Sequence, residues 1–177
     1  PNGISWNNMI YNYGWDYTPS IRFLIYNNII VTQKRHTPLG GIAIGRLDHD
    51  YLNTVLLLNN TIIMKNNGVG NAVITWSIDS LISKNNLFVV DTTIGAFYNC
   101  DDAVNWALTY KDINYNHYAE YGGLSGYIGI AGDNYTWNQW QAANLDLNSV
   151  TGNSTAVTFD NKYGLNKSDY YTTTGRD

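Results

Sequence analysis

The sequence predicts an all-β fold in which one chain winds short parallel strands into a solenoid, and two observations predict it. The first is an Asn-Asn pair followed by a short apolar run. It recurs as Trp6-Asn7-Asn8-Met9-Ile10, Tyr26-Asn27-Asn28-Ile29-Ile30-Val31, Leu58-Asn59-Asn60-Thr61-Ile62-Ile63 and Lys84-Asn85-Asn86-Leu87-Phe88-Val89. The spacings are roughly 20, 32 and 26 residues, within the range of a solenoid repeat and too irregular for a heptad or a fixed helical repeat. The second is what precedes the pairs. Arg22–Ile25, Thr54–Leu57 and Ser80–Ser83 read as strands, and Gly41–Ile44, Asn71–Thr75 and Gly95–Tyr98 read as strands further upstream. Each period therefore carries about three short β segments.

Asn explains the corners. It enters left-handed backbone conformations at lower cost than most residues, so an Asn pair between β-branched runs marks a tight bend between two strands. Bends stacked at the ~4.8 Å strand spacing let their side-chain amides bond to one another, an asparagine ladder, while the flanking apolar residues line a narrow core. An Asn content of 14% also generates pairs by chance, which is the alternative to weigh against the ladder.

Beyond the pairs, Asp101 or Asp102 is placed to cap a short helical run, Ala103–Leu108. His117 and Glu120 fall in the Tyr-rich segment 115–121, where packing is the expected role. Gly122–Gly129 lacks the strand–turn–helix context of a nucleotide site and reads as loop or hairpin. Thr136 with Gln139 three residues on forms a capping box, and Trp137, Trp140 and Ala143 fall on one face of the short helix that follows.

Composition excludes several classes of function. The chain has 177 residues, 14% of them charged, a net charge of -4 and no basic block, which disfavours a phosphate-backbone partner such as nucleic acid. Its longest apolar runs, such as Val55–Leu58, are far short of the ~20 residues that span a bilayer. The chain starts at Pro1 without an apolar signal segment and reads as a mature or excised piece of a longer product. Cys100 stands alone, so neither an internal disulfide nor a multi-Cys zinc site is expected. Four N-x-S/T sequons, at Asn59, Asn134, Asn153 and Asn166, match the about three or four that composition yields by chance.

The repeat resembles a right-handed parallel β-helix of the pectate-lyase-like kind, in which one chain winds three parallel sheets. The resemblance covers residues 1 to about 118, the expected coils. Residues 119–177 are expected to form a C-terminal extension of strands and a short helix packing on them. Asp112–Asn116 resembles the exit strand that follows such helices, Thr136–Ala142 their tryptophan-bearing helix, Asp146–Ser149 the "D-x-N-S" after it, and Tyr163–Leu165 the closing strand. The usual "A-D-P" is absent.

The resemblance implies an extracellular, cell-surface or virion-surface protein that engages polysaccharide. It is expected to be either part of a lyase or glycoside hydrolase, or a noncatalytic structural or adhesive domain of a fibre, filament or phage tailspike. It implies two chemistries: β-elimination of uronates by a basic residue with Ca2+ or Arg neutralising the carboxylate, and hydrolysis by paired carboxylates. No cofactor is expected beyond Ca2+, and that only for a lyase. An open stack exposes strand edges, so flanking chain or partner subunits are expected to cover its ends.

No contiguous catalytic motif is present: there is no G-x-S-x-G, H-E-x-x-H, C-x-x-C or P-loop. The densest polar cluster is Lys34-Arg35-His36 with Arg46-Leu47-Asp48-His49-Asp50, in the longest period, whose extra residues fit an inserted loop. Asp48 and Asp50 are candidate cation ligands. Asp48 and His49 are candidate proton carriers, with Arg35 or Arg46 pairing an acidic sugar. A solvated loop with ordinary surface charges is the alternative. Aligning the strands places Arg46, Trp76 and Asn99 in one column, which suits a sugar: its apolar face stacks on the ring and its hydroxyls bond the polar neighbours. The competing reading is a Trp that shields a turn. Asp101-Asp102 is a poor catalytic pair, because adjacent strand residues point to opposite faces.

Overall fold

The structure, a computed structural model, describes residues 10–14, 21–33, 42–46, 53–65, 72–76, 78–90, 96–100, 103–120, 127–131 and 134–153. Its strands come in triplets along the chain. The first is β1 (Ile10–Gly14), β2 (Ile21–Tyr26) and β3 (Ile29–Gln33), and the second β4 (Ile42–Arg46), β5 (Asn53–Leu58) and β6 (Thr61–Lys65). The third is β7 (Val73–Trp76), β8 (Ser80–Lys84) and β9 (Leu87–Val90). The fourth is β10 (Ala96–Cys100), then helix α1 (Ala103–Leu108), then β11 (Tyr110–Asn114) and β12 (His117–Glu120). Last come β13 (Tyr127–Ala131), β14 (Asn134–Tyr135), helix α2 (Trp137–Ala142) and β15 (Val150–Asn153).

Three sheets result, because strands pair with their counterparts in the neighbouring triplets. Their orders are β1-β4-β7-β10-β13-β14, β11-β8-β5-β2 and β15-β12-β9-β6-β3. Every pairing among the described residues is parallel except β13 with β14, a hairpin at the end of the expected Gly-rich stretch. The fold is thus mostly β with three parallel sheets. Strand β12 runs across the expected boundary at 118/119, and β13 and β15 extend the first and third sheets beyond it.

The corner between the second and third strands of a triplet is built alike four times. Asn27, Asn59, Asn85 and Tyr115 have φ of 56, 55, 56 and 58°, the left-handed region that Asn tolerates and Tyr does not favour. The next residue is the rung: Asn28, Asn60, Asn86 and Asn116. Asn28 Nδ2 donates to Asn60 Oδ1 at 3.1 Å, Asn60 Nδ2 to Asn86 Oδ1 at 3.0 Å and Asn86 Nδ2 to Asn116 Oδ1 at 3.0 Å. Each acceptor oxygen also takes the backbone N–H of the preceding rung, at 3.1, 2.9 and 3.0 Å. Asn60, Asn86 and Asn116 use their second amide proton on the carbonyls of Ile25, Leu57 and Ser83, each three residues before the preceding rung. Asn60, Asn86 and Asn116 are buried, and these bonds are what makes burying an amide tolerable. In the Asp112–Asn116 segment, expected as an exit strand, Asp112–Asn114 end β11 and Tyr115–Asn116 form the fourth of these corners.

One apolar core lies among the three sheets. Ile42, Ile44 and Val73 face it from the first sheet, Ile25, Val55, Leu57 and Leu81 from the second, and Ile30, Ile62, Phe88 and Tyr118 from the third. It changes from aliphatic to aromatic along the triplets. Tyr118 stacks on Phe88 with centroids 5.1 Å apart and Trp140 on Tyr98 at 5.9 Å, while Trp106 of α1 stacks on Trp140 at 5.9 Å. Helix α2 brings Trp140 there. Its capping box holds as the sequence predicts, with Gln139 N–H donating to Thr136 Oγ1 and Thr136 N–H to Gln139 Oε1 at 2.9 Å. Trp140 is fully buried and Trp137 half-buried, whereas Ala143 sits exposed at the C-cap rather than on their face.

Candidate functional site

Arg46 ends β4, Trp76 ends β7 and Asn99 is the fourth residue of β10, so all three lie on neighbouring strands of the first sheet. Their register differs from a single column. Trp76 is opposite Gly45, not Arg46, and Asn99 is opposite Ile74, two residues short of Trp76. The alignment places each residue just past the end of its apolar run and misses this because the run ends are not level: Ile44 is opposite Thr75, but Tyr98 is opposite Val73. Asp48, His49 and Asp50, with Lys34, Arg35 and His36, lie outside the described residues, as do Asp101 and Asp102. The helix those aspartates were expected to cap does form at Ala103–Leu108. His117 and Glu120 are the two ends of β12, and His117 N–H donates to Asn86 O at 2.8 Å. Among the described residues no group of three or more His, Cys, Asp and Glu side chains is gathered in a way that could hold a metal ion.

The described surface nonetheless has a distinct face, the outer side of the second sheet. Alternation along a strand sends every second residue outward, and parallel in-register pairing lines those residues up across strands. Three rows follow: Arg22, Thr54, Ser80 and Tyr110; Leu24, Leu56, Ile82 and Asp112; Tyr26, Leu58, Lys84 and Asn114. All twelve are exposed or half-buried, with Leu24 at 53%, Tyr26 at 55% and Tyr110 at 62% exposure. The third sheet differs. Its outward residues Ile63, Leu87, Val89 and Ala119 are buried in a second apolar cluster, so that sheet is covered on both sides. The second sheet thus combines an in-register grid, an aliphatic middle row and aromatic rings at its margins.

Electrostatically this face carries Arg22 and one ion pair. Lys84 Nζ lies 2.6 Å from Asp112 Oδ2, and that hydrogen bond, with the carboxylate's charge, raises the Lys84 pKa against the smaller opposing effect of burial. Sequence reading missed the face. A signal was there in Val55–Leu58, where alternation must put two of four apolar side chains on the outer face.

The polar atoms with the densest bonding lie inside. Asp146, fully buried with φ of 53°, accepts from Tyr118 Oη and Trp140 Nε1 at 2.7 Å each and from Asn116 Nδ2 at 3.0 Å, and Ser149 Oγ donates to it as well. Tyr118 Oη also lies 3.1 Å from Tyr98 Oη, and Tyr98 shares a 2.7 Å bond with Ser83 Oγ. Burial first, then the nearby charges of Tyr98 and Asp146, pushes Tyr118 well above the usual phenol range; burial and Asp146 do the same for Tyr98. Lys111, inward-facing by register beside Leu81, donates to the carbonyls of Trp106 and, at 2.7 Å, Thr109, with its ammonium 4.8 Å from the Trp106 ring centre. These groups are closed off from solvent or tied to backbone, and their chemistry is structural. No family model, no curated protein and no solved structure matches the chain.

Proposed function

We propose that the chain is a segment of a right-handed parallel β-helix, extracellular or displayed on a cell or virion surface, that engages polysaccharide through its exposed sheet faces. The pairing of strands with their counterparts one triplet away, all parallel, supports the winding: a single chain turning in one sense delivers it without crossing connections. The right hand follows from the strong preference of parallel crossovers.

The observation that carries the functional reading is the outer face of the second sheet, where exposed tyrosines stand in register beside hydroxyls and amides. Such rings offer an apolar platform and a polar tip, the combination a sugar ring matches. Affinity electrophoresis through gels cast with acidic and neutral polysaccharides tests this, reading both retardation and shortening of the polymer. Retardation is the expected result, and its absence with every polymer would sink the polysaccharide reading.

The enzymatic form of the proposal assigns proton handling to Asp48 and His49 with Arg46 pairing a uronate, and Ca2+ to Asp48 and Asp50 in a lyase. It expects shortening that is lost on replacing these residues while folding is kept. In the noncatalytic form, Trp76→Ala lowers affinity and no product forms.

A second reading, a structural or adhesive β-helix of a fibre or filament, is favoured by the aliphatic row Leu24, Leu56 and Ile82, which is an association surface in composition. It expects oligomers in sedimentation whatever glycan is added, with flanking chain or subunits covering the ends.

A further inference from the structure

Three of the four left-handed corner residues are Asn, which the backbone itself selects, so Asn27, Asn59 and Asn85 need no ligand to explain them. Tyr115 does. At φ of 58° a tyrosine costs more than Asn or Gly would, and the residue is 55% exposed, so packing does not repay the cost. A locally unfavourable residue whose side chain is turned to solvent points to a role outside the fold.

Its surroundings say which role. The corner leaves the second sheet along a strip two residues wide: Tyr26 and Asn27, then Leu58 and Asn59, then Lys84 and Asn85, then Asn114 and Tyr115. Tyr26 stands at one end, 55% exposed, and Tyr115 at the other. Between them run the exposed amides of Asn59 and Asn85 at the strand spacing, so the strip is about 14 Å from first rung to last. Amides donate and accept at once, matching hydroxyl groups, and a tyrosine at each end gives two platforms for sugar rings. The one cation in the strip, Lys84, is held by Asp112 at 2.6 Å and so leaves no charge to select a polyanion.

Resting on the polysaccharide reading above, we infer that this corner strip, bracketed by Tyr26 and Tyr115, is a binding site for a neutral polysaccharide lying along the direction in which the strands stack. Tyr115 then carries a trade-off between stability and binding.

The test is affinity electrophoresis of the wild-type chain, Tyr115→Asn, Tyr115→Phe and Tyr26→Ala in gels containing hydroxyethyl cellulose, galactomannan or polygalacturonate, with thermal melts of each. The expected result is retardation of the wild type by a neutral polymer. Affinity falls about tenfold in Tyr115→Asn and Tyr26→Ala, as for loss of a stacking anchor, and is kept in Tyr115→Phe. Tyr115→Asn should at the same time melt higher than wild type, which a purely structural tyrosine would not allow. If a polymer retards wild type and Tyr115→Asn equally, this site falls while the polysaccharide reading stands. Preference for polygalacturonate overturns the neutral class, and no retardation by any polymer overturns both readings.

Discussion

Asp146 receives the side-chain amide of Asn116 at 3.0 Å, taking the place that a fifth asparagine would hold, while Ser149 Oγ accepts the Asn116 backbone N–H at 2.7 Å. The row of amides therefore ends on a carboxylate. A carboxylate accepts only, and both of its oxygens face donors: Oδ1 meets Asn116 and Ser149, and Oδ2 meets Tyr118 and Trp140. The bonds are charge-assisted, which offsets the burial of an ionised group.

Asp146→Asn tests that account. The hydroxyls of Ser149 and Tyr118 can turn to accept, but an amide NH2 placed on either side still faces an N–H that cannot, from Asn116 or from Trp140. Both orientations bury an unmatched donor, and urea unfolding should show a loss of about 2–4 kcal/mol. A change below about 0.5 kcal/mol would mean the network does not hold the end of the row.

The middle of the row should be worth more than its beginning. Asn86 is buried, accepts twice from Asn60 and donates to Leu57 O, Ser83 Oγ and Asn116 Oδ1. Asn86→Ala strands several of these groups without water, and the expected cost is about 3 kcal/mol or more. Asn28 is half-buried and donates one bond to Tyr26 O on the exposed side, so Asn28→Ala should cost about 1 kcal/mol. Equal losses at the two positions, read from denaturant midpoints at constant m-value, would contradict the burial argument.

The row was legible in the sequence because Asn serves twice in each pair, first as the residue that tolerates the left-handed corner, then as the amide that reaches its neighbour. That signal fails at the fourth corner, where Tyr115-Asn116 keeps the rung but replaces the corner residue, so the segment reads as something new. Strand positions before each pair follow from apolar spacing, yet the register between them does not. Insertions between strands change length from one triplet to the next, and shifts of one residue and then two put Asn99 three residues out of register with Arg46, with Trp76 between them. The partners of Asp146 lie beyond sequence reading for a different reason. Tyr118, Trp140 and Asn116 converge from three elements, and no local pattern marks the meeting point.

Alkaline pH should unfold the chain through Tyr98 and Tyr118. Both are pushed well above the usual phenol range, chiefly by burial, so the folded protein keeps protons that the unfolded chain releases near pH 10. Their contribution is intact below that pH and falls as pH rises past it, by up to about 1.4 kcal/mol per pH unit for each tyrosine. In a pH titration followed by tyrosinate absorbance and circular dichroism, Tyr98 and Tyr118 should ionise only together with loss of structure. Ionisation of every tyrosine before unfolding would refute the coupling. Tyr118→Phe removes one of the two protons from the slope.

The contrast between the second and third sheets gives a paired test of which outer face is covered. Val89 faces outward from β9 yet is 2% exposed and packs with Ile63, Leu87 and Ala119, whereas Leu24 faces outward from β2 at 53% exposure. Removing methyl groups from a covered site forfeits their transfer energy and leaves a cavity, while at a wet site little is lost. Val89→Ala should therefore cost about 2 kcal/mol and Leu24→Ala within about 0.5 kcal/mol, although leucine is the larger side chain. Should Leu24→Ala prove the costlier, and the more so at higher protein concentration, the outer face of the second sheet is buried between copies in solution. The glycan strip along its margin would then be shared with an association surface.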